Sequence, residues 1–250
     1  MRAALVTLAV GEVPEVRWSH PIFRAYARRH GLDFVVIDEW RVRKGGWFTP
    51  KRKRAQFEKL QLHRVLGDYE RVIFFDADIL IHPDCPNLLD LVPVDCLGAV
   101  SDELPDGGGE SWKRRDDLER AQWALGMLPA ERVAEPYFNT GVMVASRTCR
   151  AVFDPERRWP SKGRWREQTG INYNARKDGV QVRYLGREYN FAPIEPDSWR
   201  NHGIRLGGRV SGALVVHYAG LADRPCMSED AAWFLDKWKT NDNIGCQRRI

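Results

Sequence analysis

The chain has 250 residues, with 39 Lys or Arg against 34 Asp or Glu, a formal net charge of +5 and an isoelectric point near 9.0. An apolar share of 43% with 29% charged residues is ordinary globular composition and excludes a disordered or collagen-like chain. No window approaches the roughly 18 uncharged apolar residues of a membrane helix, and the short apolar run after Met1-Arg2 makes a poor secretory signal, so a cytoplasmic protein is expected. Cys85, Cys96, Cys149, Cys226 and Cys246 form no C-x-x-C pair and are widely spread, which points to reduced structural thiols rather than a zinc cluster or a disulfide framework.

The apolar run 3–10 reads as a strand, 19–31 as a helix and 34–37 as a second strand, together a βαβ unit that implies a parallel sheet. In that helix Ile22, Phe23, Tyr26 and Ala27 form one stripe, Ser19 is placed to cap the start, and Gly31 sits where a left-handed terminator belongs. A second helix is expected over 52–66, with Ala55, Leu62 and Leu66 on one face and Lys59 among them. Gly67-Asp68 ends it, and Val72-Ile73-Phe74-Phe75 reads as a strand buried on both sides. The polar stretch 101–135 is an excursion from the sheet. Further strands are expected at 97–100, 141–145, 180–185 and 213–218, and a last helix over 227–250.

Asp76-Ala77-Asp78 follows that buried strand at the edge where open parallel sheets take their ligands. Two carboxylates there suit Mg²⁺ or Mn²⁺, provided the chain leaves strand geometry after Phe75, since an ideal strand would alternate their faces. His217 ends the apolar run Leu214-Val215-Val216; it reads either as a structural histidine or as a nitrogen ligand that favours Mn²⁺. Gly220 permits close backbone approach, and Arg224 offers a bidentate phosphate contact. Lys59 either snorkels from its apolar stripe or faces an anion, while the run Lys51-Arg52-Lys53-Arg54 reads as a solvated helix start or a phosphate clamp. By pattern alone Asn139-Thr140-Gly141 is a polar turn, and Glu167-Gln168 are first-turn residues of a helix.

In chain order, Thr7-Leu8-Ala9, Phe57-Glu58-Lys59-Leu60, Val72 to Asp78, Phe138-Asn139-Thr140-Gly141-Val142, Glu167-Gln168 and Val215 to Gly220 resemble GT-A glycosyltransferases, and most of all family 8. That group includes glycogenin and bacterial lipooligosaccharide galactosyltransferases. The resemblance extends from residue 1 to about 226 and implies a single α/β GT-A, Rossmann-like domain over 1–250, its mostly parallel central sheet flanked by helices. It implies Mn²⁺, with Mg²⁺ second, held by Asp76, Asp78 and His217 against the diphosphate of a UDP-sugar. Thr7, Leu8 and Ala9 would line the nucleoside pocket, Ala77 and Gly220 would belong to the donor-binding set, and Lys59 and Arg224 would meet sugar or phosphate. Asn139 and Gln168 would face the donor sugar, with Glu167 standing where the family usually has Asp. Retention of anomeric configuration is implied, by same-face attack. The excursion over 101–135 and the C-terminal segment would face the acceptor, which can be a glycan, a glycolipid, a protein or a nucleic acid.

The motif Val72 to Asp78 also resembles the first motif of haloacid-dehalogenase phosphatases, although Leu80 stands where that motif has Thr or Val. A sugar nucleotidyltransferase would need a Gly-rich loop after the first strand, which Ala9 to Val13 is not. The third reading is a basic nucleic-acid-binding protein that uses Lys51 to Arg54 with stacking tryptophans.

Overall fold

Strands form at Ala3–Leu8 (β1), Asp33–Ile37 (β2), Arg71–Phe75 (β3), Ile79–Ile81 (β4), Cys96–Ser101 (β5), Phe138–Ser146 (β6), Gln181–Leu185 (β7) and Val215–His217 (β8). Helices form at Val16–His30 (α1), Lys51–Gln56 (α2), Leu62–Asp68 (α3), Ser111–Leu125 (α4), Ala130–Val133 (α5), Arg166–Lys177 (α6) and Arg224–Gln247 (α7). The computed structural model describes residues 2–42, 44, 50–103, 111–191, 213–219 and 224–247.

Six strands make the central sheet in the order β2-β1-β3-β6-β5-β7, and β4 with β8 makes a separate two-stranded ribbon. The β1–β2, β1–β3 and β5–β7 pairs are parallel, while β6 runs antiparallel to both β3 and β5. The sheet is therefore mostly parallel and helix-flanked, as expected. Alternation along its strands builds a core on each face. Leu5, Ile73, Phe75 and Val144 pack with Phe23 and Tyr26 of α1 and Trp238 of α7; Val6, Val72, Phe74 and Met143 pack with Leu66 of α3 and Ile171 of α6. All five residues of β3 are buried, because it is central and covered on both faces.

Gly31 ends α1 in the left-handed conformation at φ 66°, as the pattern predicts. The start differs: the helix begins at Val16, and Ser19 lies inside it, its hydroxyl donating to Glu15 O at 3.3 Å. A serine already within a helix bonds back four residues instead of capping.

The expected helix over 52–66 is interrupted by a 3-10 turn at Phe57–Gln61, between α2 and α3. Side chains three residues apart eclipse in such a turn, and Gln61 Nε2 accordingly reaches Glu58 Oε2 at 2.8 Å. The Glu58 carboxylate also accepts the backbone N–H groups of Arg41 and Val42, each at 3.0 Å, so this fully buried acid ties the turn to the segment after β2.

Asn139-Thr140-Gly141 is not a turn before a strand but part of β6. The β5–β6 register passes from Ala99↔Met143 to Val100↔Asn139, so 140–142 have no β5 residue opposite them. This bulge bends β6 beside the end of β3. The excursion over 101–135 contains α4 and α5, and α4 packs against α6. No described helix is long and apolar enough to cross a membrane.

Candidate active site

β3 stops at Phe75, residues 76–78 turn, and β4 starts at Ile79, which is the departure from strand geometry that two converging carboxylates require. Two backbone bonds fix the turn: Asp76 N–H donates to Gly141 O at 2.8 Å, and Tyr218 N–H donates to Asp78 O at 2.8 Å. The first brings the β6 bulge alongside Asp76. The second, with the Ile79↔His217 pairing of β4 and β8, brings His217 alongside Asp78.

His217 Nε2 lies 3.3 Å from Asp78 Oδ1 and 3.9 Å from Asp76 Oδ2, and one ligand atom of each residue falls within 4.8 Å of the others. The other ring nitrogen is held from behind. Nδ1 is 2.9 Å from Asn190 Oδ1, while Asn190 Nδ2 donates to Asn139 Oδ1 at 3.0 Å. That relay makes Asn190 Oδ1 an acceptor, so Nδ1 carries the hydrogen and Nε2 aims at the carboxylates. Gly141 leaves room for the ring: a Cβ there would meet His217 Cε1 at 2.3 Å.

Burial lowers the His217 pKa, but the Asp78 carboxylate more than offsets this and the net shift is upward. Burial would raise Asp78, and His217 reverses that to a net lowering; Asp76 is raised by burial, against the pull of Lys59. Two acids and an imidazole nitrogen facing one point suit a cation of the Mn²⁺ or Mg²⁺ type.

Lys59 reaches from the 3-10 turn to the acids of the site. The residue is 5% exposed, and its ammonium lies 3.0 Å from Asp76 Oδ2, 3.1 Å from Glu167 Oε1 and 3.3 Å from both oxygens of Thr140. Burial lowers its pKa, and the two carboxylates outweigh that to leave it raised. Lys59 thus holds two acids in place with all three of its hydrogens directed at protein oxygens.

Glu167 and Gln168 are buried in the first turn of α6 rather than solvated there. Thr140 Oγ1 donates to Glu167 Oε1 at 2.8 Å, and Thr140 N–H donates to Gln168 Oε1 at 3.2 Å. Gln168 Nε2 donates to Asp102 Oδ2 at 3.1 Å. Asn139 Oδ1 accepts Gly141 N–H at 2.7 Å as well as Asn190 Nδ2, so it links the bulge to His217.

A cleft opens beside the acids, lined by Leu8, Val10, Gln56, Lys59, Asp76, Ala77 and Asp78 among others. Of the first-strand trio, Leu8 lines it; Thr7 is fully buried, and Ala9 N–H donates to Ile37 O at 2.7 Å. Gly220 lies outside the described residues. Arg224 is the first residue of α7, and its side chain is likewise outside the described part. Asn190 and Asp102 carried no sequence signal, because each acts through a partner distant along the chain.

Residues 48–148 match the family model described as Glycosyl transferase family 8. Among solved structures, the chain is similar to a glycosyltransferase involved in the glycosylation of the major capsid of PBCV-1, at 13% identity and TM-score 0.59, covering 91% of this chain and 100% of that one. It is also similar to the galactosyltransferase LgtC in complex with donor and acceptor sugar analogs, at 17% identity and TM-score 0.57, covering 95% of each chain. The bifunctional glycosyltransferase WbbM is similar at 13% identity and TM-score 0.56, over 95% of this chain and 51% of that one. No curated protein matches the sequence. Fold and family match together define a glycosyltransferase with the GT-A fold. Within that class the chain resembles family 8, whose model covers the segment from the start of α2 through the end of β6.

Proposed function

We propose that this enzyme transfers a hexose from a UDP-sugar to an acceptor hydroxyl, with retention of configuration and with Mn²⁺, or secondarily Mg²⁺, held by Asp76, Asp78 and His217. The observation that carries the reading is the convergence of those three side chains, with His217 oriented by Asn190. When bound, the metal supplies Lewis-acid stabilisation of the departing nucleoside diphosphate. The rest is done by the protein. Asp76 and Asp78 offer oxygen ligands, and His217 offers Nε2 because Nδ1 is occupied. Lys59 balances the charge of Asp76 and Glu167 and keeps the Asp76 carboxylate turned towards the cleft.

Leu8 at the end of β1 is proposed to line the nucleoside end of the cleft, with Thr7 and Ala9 fixing the backbone there and Ala77, Gly220 and Arg224 completing the donor set. Asn139, Glu167 and Gln168 stand at the sugar end. Both ends of the Gln168 amide are already hydrogen-bonded, which supports an electrostatic role over a nucleophilic one and so favours same-face attack by the acceptor. The excursion that carries α4 and α5, and the C-terminal segment, are proposed to border an acceptor that is a glycan, glycolipid, protein or nucleic acid. The single GT-A domain is proposed to extend over 1–250. The free thiols of Cys85, Cys96 and Cys149 support a cytoplasmic location.

The test is thermal stability with UDP, GDP, CDP or ADP, each with Mn²⁺, Mg²⁺ or EDTA, because a ligand that binds only the native state raises the transition. A Mn²⁺-dependent shift with UDP is expected, and Asp78→Ala should abolish it while the variant stays folded. A UDP shift that survives EDTA, or that survives in Asp78→Ala, would overturn the metal assignment.

A further inference from the structure

Helix α4 stands against the first turn of α6, the turn that carries Glu167 and Gln168, and four of its contacts go to the backbone and side chains that hold this turn. The N-cap of α6, Trp165, makes no capping bond with its own side chain. Asp117 of α4 supplies the acceptor instead: its Oδ2 takes the backbone N–H of Arg164 at 2.7 Å and that of Trp165 at 3.1 Å. Asp117 is 5% exposed, and Gly163, at φ 115°, is what lets it approach, since a Cβ there would lie 3.0 Å from Asp117 Oδ2. A carboxylate at a helix start satisfies orphan N–H groups and complements the helix dipole.

One turn earlier on α4, Arg114 makes two contacts. Its guanidinium carbon lies 4.7 Å from the centre of the Trp165 ring, and its Nε bonds Asp102 Oδ2. That Asp102 oxygen is the one that accepts Gln168 Nε2, while Gln168 Oε1 accepts from Thr140 N–H. The amide therefore has one favourable orientation. Flipped, it would set its carbonyl against the Asp102 carboxylate and its NH₂ against the Thr140 N–H.

We propose that α4 is a positioning element for the sugar end of the site: Arg114, acting through Asp102, and Asp117, acting through the α6 N-terminus, fix the place and the orientation of the Gln168 amide. Among the described residues, the contacts of Arg114 and Asp117 go to Asp102, Arg164 and Trp165 and not to the proposed metal ligands. The inference rests on the reading that Gln168 faces the donor sugar. Its structural half, that Arg114 orients the amide, stands independently of what the enzyme transfers.

The test uses the full chain and Arg114→Met, which removes the guanidinium while keeping bulk, with Arg114→Lys as the conservative variant. The side-chain ¹⁵N–H₂ signals of Gln168 are assigned by their loss in Gln168→Glu. In the wild type they should exchange slowly with solvent; in Arg114→Met they should move and exchange at least tenfold faster, with Arg114→Lys in between. Unchanged Gln168 signals in Arg114→Met would overturn the proposal whether or not sugar transfer is found. In turnover, Arg114→Met should lower kcat at least tenfold with donor KM within twofold and the UDP·Mn²⁺ thermal shift retained. Loss of that thermal shift along with kcat would reveal a merely structural role and would also overturn it. Wild-type protein that binds no nucleotide and transfers no sugar would refute the reading of the site, and the amide measurement would still decide what Arg114 does.

Discussion

The neighbours of His217 leave its ring one orientation. Asn190 holds Nδ1, and Gly141 leaves the space the ring occupies, so a Cβ at 141 would sit 2.7 Å from Nδ1 and 2.9 Å from Asn139 Oδ1. Gly141→Ala must therefore push the ring or the bulge aside. An overpacking cost of about 1–3 kcal/mol is expected, together with loss of the Mn²⁺-dependent thermal shift, read by denaturant unfolding and by melting with the metal. A variant with wild-type metal response would show that the ring has freedom the packing denies it. The sequence offered His217 and Gly141 as separate features; that one makes room for the other follows only from the pairing of β4 with β8 beside β6.

At the scale of elements, the buried 3-10 turn at Phe57–Gln61 joins the cleft wall to the acids. Five consecutive residues are buried there, three of them polar; Glu58 and Gln61 are satisfied by the segment after β2, and Lys59 by Asp76. Removing one member of a buried ion-pair group strands its partners, at a cost of about 3–5 kcal/mol. Lys59→Met should lose stability on that scale in chemical denaturation, because Asp76 and Glu167 are left facing each other without a cation. The exposed Lys53→Met is the control and should be close to neutral. Equal small losses in both variants would mean that the Lys59 ammonium contributes little to holding the acids. The apolar stripe of Ala55, Leu62 and Leu66 made the segment legible as helix, and Lys59 legible as anomalous within it. The break in the helix was not legible, since the reason for it, Glu58 binding the N–H groups of Arg41 and Val42, lies 16 and 17 residues back along the chain.

For the whole molecule, the sheet order makes β3 and β6 the centre, with β2 and β7 at the edges. Amides of buried central strands open only with global unfolding, whereas edges open locally. Native-state hydrogen exchange should therefore be slowest across Arg71–Phe75 and the paired part of β6, and faster in β7, where burial alternates with exposure. Fastest exchange in β3 would contradict the strand order. The same order sets the site: it lies where β3 ends, beside β6, which runs antiparallel to both of its neighbours in the central sheet.

Sequence by itself determined the strands with continuous apolar runs, the end of α1 at Gly31, the excursion after β5, the acidic pair and the histidine, because each depends on local periodicity, backbone freedom or side-chain chemistry. It also carried the ordered motifs by which the chain resembles family 8. Only the tertiary structure decided that Asn139 to Gly141 form a bulge within β6, that Lys59 pairs with Asp76 and Glu167, that Asn190 orients His217, and that Asp102 and α4 hold Gln168. Hydrogen bonds and ion pairs between residues far apart in the chain leave no periodic trace in it. They exist once the sheet has set which strand ends lie side by side.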